Sequence, residues 1–125
     1  MNDVVQAHYV SLATFRKSGV MVATPVWAAF EDGTYFVFSA GEAGKVKRLR
    51  NSERARLAKC DARGNLLGNW HEADAQLLRD QGQIEQALSA LRKKYGFQMW
   101  LADAAAKLLG KFNKRVYIGV TLVEV

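Results

Sequence analysis

Apolar runs in the first half of the chain predict β-strands. Tyr9–Phe15 (YVSLATF) is rich in β-branched and aromatic residues and stops at the turn RKSG. Val20–Phe30 (VMVATPVWAAF) predicts a second strand, in which Pro25 indicates an edge, a bulge or a strand start because proline cannot donate to the ladder. The EDG sequence that follows is typical of a hairpin turn, and Thr34–Ala40 (TYFVFSA) is a third strand. This order predicts an antiparallel meander.

A short helix and further strands follow the meander. Gly44–Asn51 is a helix candidate with two apolar residues on one face and cations on the rest. Arg54–Asp61 predicts a fourth strand. Leu66–Arg79 predicts a fifth, interrupted near Gly68.

The spacing of apolar residues then becomes helical in two consecutive segments. The first segment contains Ile84, Ala87, Leu88, Leu91 and Tyr95 and ends at Gly96. The second contains Met99, Leu101, Ala104, Ala105, Leu108 and Leu109 and ends by Gly110. Arg115–Val125 predicts a final strand. The whole order predicts a mainly β (α+β) fold, a small antiparallel barrel with appended helices.

Length and composition narrow the class of protein. The 125 residues suit one domain, spanning residues 1–125, and the single cysteine permits no internal disulfide. No signal peptide is visible at the N-terminus, and no apolar stretch approaches the ~20 residues that span a bilayer. We therefore expect a soluble, cytoplasmic protein without a membrane partner. The net charge of +6 is local, because residues 41–60 hold seven Lys or Arg and two Glu.

The basic segment favours a single phosphate over a nucleotide triphosphate. A phosphate-loop motif fails here, since Ser39 replaces its first glycine and Val46 replaces its magnesium-binding hydroxyl residue. Gly44 allows a sharp turn, and a helix start offers free N–H groups to an anion. Lys45 and Arg48 lie three positions apart and so project from one side. This pattern fits one phosphate monoester.

The sequence offers few residues for nucleic-acid binding, metal binding or nucleophilic catalysis. No nucleic-acid recognition motif accompanies the basic segment, so we disfavour a nucleic-acid partner. His8 and His71 have no second metal ligand at a typical spacing, and Cys60 suits the core better than nucleophilic attack. We identify no catalytic side chain and no metal site. An enzyme of this sequence would depend on a cofactor.

The sequence YVSLATFRKSGVMVATPVWAAFEDGTYFVFSA, followed by GKVKRLRNSERARLAKCDARG, resembles the flavin- or deazaflavin-binding split β-barrel family related to pyridoxamine 5′-phosphate oxidase. The resemblance rests on the order and spacing of its motifs from about Tyr9 to Gly64. It implies a six-stranded antiparallel split barrel with a short crossover helix and two further helices. It also implies a homodimer with two cofactor sites at the subunit interface.

The resemblance also implies which residues hold the cofactor. Residues bordering its ring would be Thr24, Pro25, Val26 and Trp27. Residues on its phosphate side would be Ser39, Lys45, Val46 and Arg50, with Arg48 as an addition.

The resemblance implies an oxidoreductase that transfers hydride or electrons to a small organic substrate. We favour FMN as its cofactor, with a deazaflavin as the alternative. The longer acidic tail of a deazaflavin would suit additional cations such as Lys47, Arg50, Lys111, Lys114 and Arg115. The C-terminal VTLVEV lacks the Arg/His segment of members that oxidise pyridoxamine phosphate, which argues against that reaction. A flavin-binding or storage protein without turnover, or a basic nucleic-acid-binding barrel, remains the alternative function. The helices at about 81–112 either cap the substrate side or buttress the barrel.

Overall fold

The computed structural model describes residues 3–123. Its strands are Tyr9–Phe15 (β1), Met21–Val26 (β2), Ala28–Glu31 (β3), Thr34–Ala40 (β4), Arg54–Cys60 (β5), His71–Leu77 (β6) and Arg115–Leu122 (β7). Its helices are Gly44–Leu49 (α1), Gln81–Tyr95 (α2) and Phe97–Leu108 (α3), followed by a 3-10 turn at Phe112–Lys114. The predicted end of the last strand, residues 124–125, lies outside the described residues.

The strands form one antiparallel sheet in the order β2-β1-β5-β6-β7-β4-β3. The two outermost strands, β2 and β3, are consecutive along the chain and meet at Trp27. The sheet therefore curls, and a single residue connects its two outermost strands. This architecture confirms the predicted split barrel with a crossover helix and two further helices. The predicted strand Val20–Phe30 is divided into two, giving seven strands where we expected six, because β2 pairs with β1 while β3 pairs with β4.

The predicted strand Leu66–Arg79 is shorter than expected. Only His71–Leu77 is strand, and Leu66 forms an isolated bridge to Cys60. The interruption predicted near Gly68 is confirmed. Gly68 lies against the carboxylate of Asp3, with which a Cβ at this position would collide.

Two apolar clusters hold the sheet and its helices together. One lies inside the curled sheet and includes Val10, Leu12 and Leu57. The other lies between the sheet and α2 and includes Phe36 and Leu91. Because α2 packs against β3, β4 and β7, and α3 packs against α2, the helices buttress one side of the barrel. Within the described residues, no helix is long and apolar enough to cross a bilayer.

The C-terminal end of α2 is fastened to the start of β3 by polar contacts. The hydroxyl of Tyr95 accepts from the Ala28 N–H at 2.9 Å and donates to the His8 carbonyl at 2.8 Å. The ammonium of Lys94 donates to the carbonyls of Ala7 and Ala28 at 2.7 and 2.6 Å. These bonds satisfy backbone groups at the break between β2 and β3, where sheet pairing changes partners.

Replacing Tyr95 by phenylalanine is expected to destabilise the fold by about 1–3 kcal/mol near neutral pH, because the buried Ala28 N–H loses its acceptor. Burial raises the pKa of Tyr95 from 10.0 to about 12. Between these values the unfolded chain loses the phenolic proton while the folded chain keeps it, so the parent loses stability as pH rises. Urea unfolding of both proteins should show that the difference between their free energies of unfolding narrows above pH 10. A difference that stays constant to pH 12 would contradict this role.

Candidate functional site

The crossover helix α1 positions the basic residues at the end of β1. Its Val46 and Leu49 are buried, which fixes one face of the helix against the barrel. The remaining positions carry the cations predicted from the sequence. Because α1 packs against both β1 and β6, cations on different sides of the helix reach different surfaces.

Arg48 is held toward β1 by a short hydrogen bond. Its Nε donates to the hydroxyl of Thr14, a fully buried residue, at 2.6 Å. Gly44 makes room for the guanidinium, since a Cβ at that position would lie 2.7 Å from an Arg48 nitrogen. The glycine predicted to allow a sharp turn therefore also permits this placement.

Lys45, Arg48 and Arg16 form a cluster of three cations, which we call the cation cluster. Burial, and then the charge of Arg48, lower the pKa of Lys45. Partial burial, and then the charge of Arg16, lower the pKa of Arg48. No acidic side chain among residues 3–123 forms an ion pair with any of the three. Lys45 and Arg48 are half-buried, whereas Arg16 is exposed. Uncompensated positive charge of which part is withdrawn from water favours an anionic ligand.

Two members of this arrangement, Arg16 and Thr14, were not predicted as site residues. Arg16 directly follows β1, and Thr14 is the last residue but one of that strand. The sequence signal was the hydroxyl and the cation at the strand end. Their connection to α1 depends on the barrel closing, which local sequence does not show.

The hydroxyl of Thr24 is the one buried side-chain polar atom of the described residues that has no hydrogen-bond partner. Thr24 lies opposite Leu12, and Val22 lies opposite Thr14, so both threonines point to the same face of the sheet. Diagonal neighbours of this kind are roughly 7–8 Å apart. An unpartnered hydroxyl beside the Thr14–Arg48 bond suits a polar group of a bound ligand.

The residues predicted to border the cofactor ring do not share one face. Thr24 and Val26 point inward, whereas Pro25 is exposed on the opposite face of β2. Pro25 lies beside the turn at Gly64, where a Cβ would be 3.6 Å from its ring.

Trp27 lies at the break between β2 and β3 and is half-buried. Its ring stacks on Tyr95 with centroids 4.8 Å apart and contacts Phe38 edge-on at 6.1 Å. One side of the indole is thus committed to α2. Contact with a cofactor ring stays a prediction.

Replacing Trp27 by phenylalanine tests that prediction. If Trp27 borders the cofactor, the variant should alter the absorbance or fluorescence of bound FMN with little loss of stability. Weaker stacking on Tyr95 should lower the free energy of unfolding by about 0.5–1.5 kcal/mol, in addition to the small effect of the reduced buried area. A large stability loss with an unchanged FMN spectrum would show that Trp27 serves packing alone.

The remaining predicted residues on the phosphate side are dispersed. Ser39 is buried in β4, and its hydroxyl donates to the Ala40 carbonyl at 3.2 Å. The Val46 side chain is fully buried, so only its backbone is available to a ligand. Arg50 is exposed and lines a 560 Å³ groove with Gln76 and Arg79, on the β6 side of α1. The structure joins Lys45 and Arg48 but does not bring Arg50 to them.

The described residues contain no candidate metal site. Among residues 3–123, no group of three or more His, Cys, Asp or Glu is placed to hold a metal ion. Cys60 is buried, and burial raises the pKa of its thiol, which opposes formation of the nucleophilic thiolate.

Solved structures with the same fold come from several bacteria. HutZ, described as a heme storage protein of Vibrio cholerae, shares 12% identity over 96% of this chain and 84% of its own, with a TM-score of 0.72. A conserved hypothetical protein of Mycobacterium tuberculosis shares 19% identity over 99% and 82%, with a TM-score of 0.71. An FAD-binding protein of Mesorhizobium loti shares 15% identity over 97% and 83%, with a TM-score of 0.61.

Comparison of the sequence with protein families identifies the family of this chain. No protein of curated function matches the chain. The family model described as pyridoxamine 5′-phosphate oxidase, however, matches residues 2–124, which is nearly the whole chain. This match, which agrees with the split barrel described above, shows that the chain belongs to the pyridoxamine 5′-phosphate oxidase family.

Proposed function

We propose that the protein is a flavin-dependent oxidoreductase that binds FMN at a homodimer interface and transfers hydride or electrons to a small organic substrate. The observation that carries this proposal is the cation cluster. Three cations without an acidic partner meet at the crossover helix, and two of them have pKa values lowered by burial. A phosphate monoester would neutralise this charge.

The chain's own residues suit the two ends of FMN. Lys45, Arg48 and Arg16 would hold the phosphate, and the unpartnered Thr24 hydroxyl would bond a polar edge of the ring. The cofactor would supply the redox chemistry, and the protein would orient it and neutralise its charge. No side-chain acid or base is required by this assignment.

We favour FMN over a deazaflavin with a longer acidic tail. Arg115 is one of the cations that could have met such a tail. Its guanidinium donates to Asp103 at 2.7 Å, and its side chain is 7% exposed, so it is already neutralised. The exposed Lys111 and Lys114 remain available. We therefore propose FMN, and direct competition between the two cofactors decides the point.

A homodimer would complete the cofactor site. Met21 and Pro25 are exposed on β2, whose outer edge pairs with no described strand. Leu66 and Leu67 are also exposed, close to the Gly64 turn that contacts Pro25. These side chains form an apolar surface that a second copy would cover.

Replacing Leu67 by aspartate is expected to shift the protein toward monomer and to weaken FMN binding with it. Light scattering at micromolar concentration reports the mass, and FMN fluorescence reports binding. Because Leu67 is 60% exposed, the fold should survive the change. A parent protein that is monomeric with FMN bound would contradict the dimer proposal.

Turnover separates an oxidoreductase from a flavin-binding or storage protein. Some relatives carry names for storage or binding, so this alternative has support from the comparisons. The experiment supplies a reduced nicotinamide to the FMN-loaded protein and follows flavin bleaching and reoxidation by a quinone. Bleaching and repeated turnover support the oxidoreductase. Stable FMN binding without reduction would support storage.

A further inference from the structure

Helix α3 turns an apolar face to solvent. It packs inward through Met99 and Asp103, which are buried. On its outer side Phe97, Trp100 and Leu108 are 70%, 62% and 87% exposed. Phe97, Leu101, Ala104 and Leu108 recur at spacings of four, three and four, so they form one stripe along the helix. A contiguous exposed stripe marks an interaction surface, unlike isolated apolar residues.

Cations border this stripe on one side. A 460 Å³ groove between α2 and α3 is lined by Arg92, Trp100 and Lys107, with Asp103 at its base. Asp103 already accepts bonds from Arg92 at 3.0 Å and from Arg115 at 2.7 Å. Lys107 forms no ion pair with a described residue. The groove therefore keeps positive charge directly beside Trp100, whose ring stacks on Phe97 of the stripe with centroids 5.7 Å apart.

We propose that this face of α3 docks on an anionic phospholipid bilayer. The stripe would enter the boundary between headgroups and acyl chains, and a lipid phosphate would lie in the groove between Arg92 and Lys107. Aromatic and leucine side chains on one face with cations at its border are the pattern of helices that lie in a membrane surface. We expected no membrane partner because no spanning stretch was found, and a helix lying in the surface needs none.

A second copy of the chain fits this face less well. At 1.5 Å per residue this helix of 12 residues is about 18 Å long, which is short for a stable interface of ~800 Å² per partner. Pairing would also bring the cationic borders of two copies together. Anionic lipid has the opposite charge, so charge complementarity favours the bilayer.

Co-sedimentation of the full chain with vesicles tests the proposal. We expect binding to vesicles of equal parts phosphatidylcholine and phosphatidylglycerol, weaker binding to phosphatidylcholine alone, and a decrease as salt rises. Leu108→Ser and Lys107→Gln should each lower the vesicle partition coefficient, the former by about tenfold or more. Both side chains are exposed, so circular dichroism should show an unchanged fold.

Val20→Ser and Lys17→Gln are matched controls, because both residues are exposed in the turn between β1 and β2. They should bind vesicles as the parent does. Equal binding to neutral and anionic vesicles, or no binding to either, overturns the proposal. A loss with Lys107→Gln but not with Leu108→Ser would show that the groove binds lipid phosphate without insertion of the stripe, which also overturns the proposal. A Leu108→Ser effect on oligomeric mass without an effect on vesicles would assign the face to another protein chain.

Discussion

Replacing Lys45 by alanine is expected to weaken FMN binding about tenfold to a hundredfold, because one charge-assisted hydrogen bond to the phosphate is worth roughly 1.5–3 kcal/mol. Lys45 is partly withdrawn from water, and burial lowers its pKa, so an anion beside it should also restore that pKa toward its usual value. Fluorescence titration of FMN into the parent and the variant measures the change.

Arg54→Ala is the matched control. Arg54 belongs to the same basic segment, but it lies at the exposed start of β5 beside Glu72 and over the ring of Phe15. Its loss should leave FMN affinity almost unchanged. If the segment instead binds nucleic acid, both variants should reduce oligonucleotide binding with a steep salt dependence. Unchanged FMN affinity in Lys45→Ala would refute our assignment of the cation cluster.

Replacing Asp103 by alanine is expected to destabilise the protein by about 3–5 kcal/mol, because it leaves a buried guanidinium without its counter-charge. The Asp103 carboxylate accepts from Arg92 at 3.0 Å and from Arg115 at 2.7 Å, and the Arg115 side chain is 7% exposed. This pairing fastens α3 to β7. Urea unfolding measures the loss.

Glu72→Ala provides the comparison, since Glu72 also bridges two arginines but at the surface. Its carboxylate lies 3.0 Å from Arg56 and 3.8 Å from Arg54, and its side chain is 48% exposed. Surface pairs of this kind contribute about 0–1 kcal/mol. Equal small losses for both variants would show that Arg115 finds water or another acceptor when Asp103 is absent.

The strands could be predicted from the sequence wherever one pattern ran from turn to turn. Tyr9–Phe15 and Thr34–Ala40 have the predicted bounds. Val20–Phe30 could not be divided in advance, because its apolar pattern is continuous through Trp27. The division arises from pairing with two strands at opposite ends of the sheet, which is a property of the closed barrel.

The candidate site was predictable only where local helical spacing decided it. Lys45 and Arg48, three positions apart, lie together as expected. Arg50 follows Lys45 by five positions, which is about 140° around a helix. Helical geometry therefore explains why Arg50 lines a separate groove, although the family resemblance had placed both residues on the phosphate side. Arg16 joins the cluster from a distant part of the chain, and no local pattern indicates that contact.

The buried face of α3 could not be predicted from the spacing of its apolar residues. Periodicity identified Met99, Leu101 and Leu108 as apolar positions of a helix, yet only Met99 is buried. Asp103 lies on the inner face instead, because Arg92 and Arg115 neutralise it there. Periodicity alone does not tell which face of a largely apolar helix meets the core.

Comparing FMN with riboflavin tests the central claim most directly, because riboflavin carries the same ring without the phosphate. Both are titrated into the parent protein under identical salt and pH. If the cation cluster holds the cofactor phosphate, FMN should bind at least about tenfold more tightly than riboflavin, the effect of one charge-assisted hydrogen bond or more. Equal affinity for the two, or no affinity for FMN, would contradict the account.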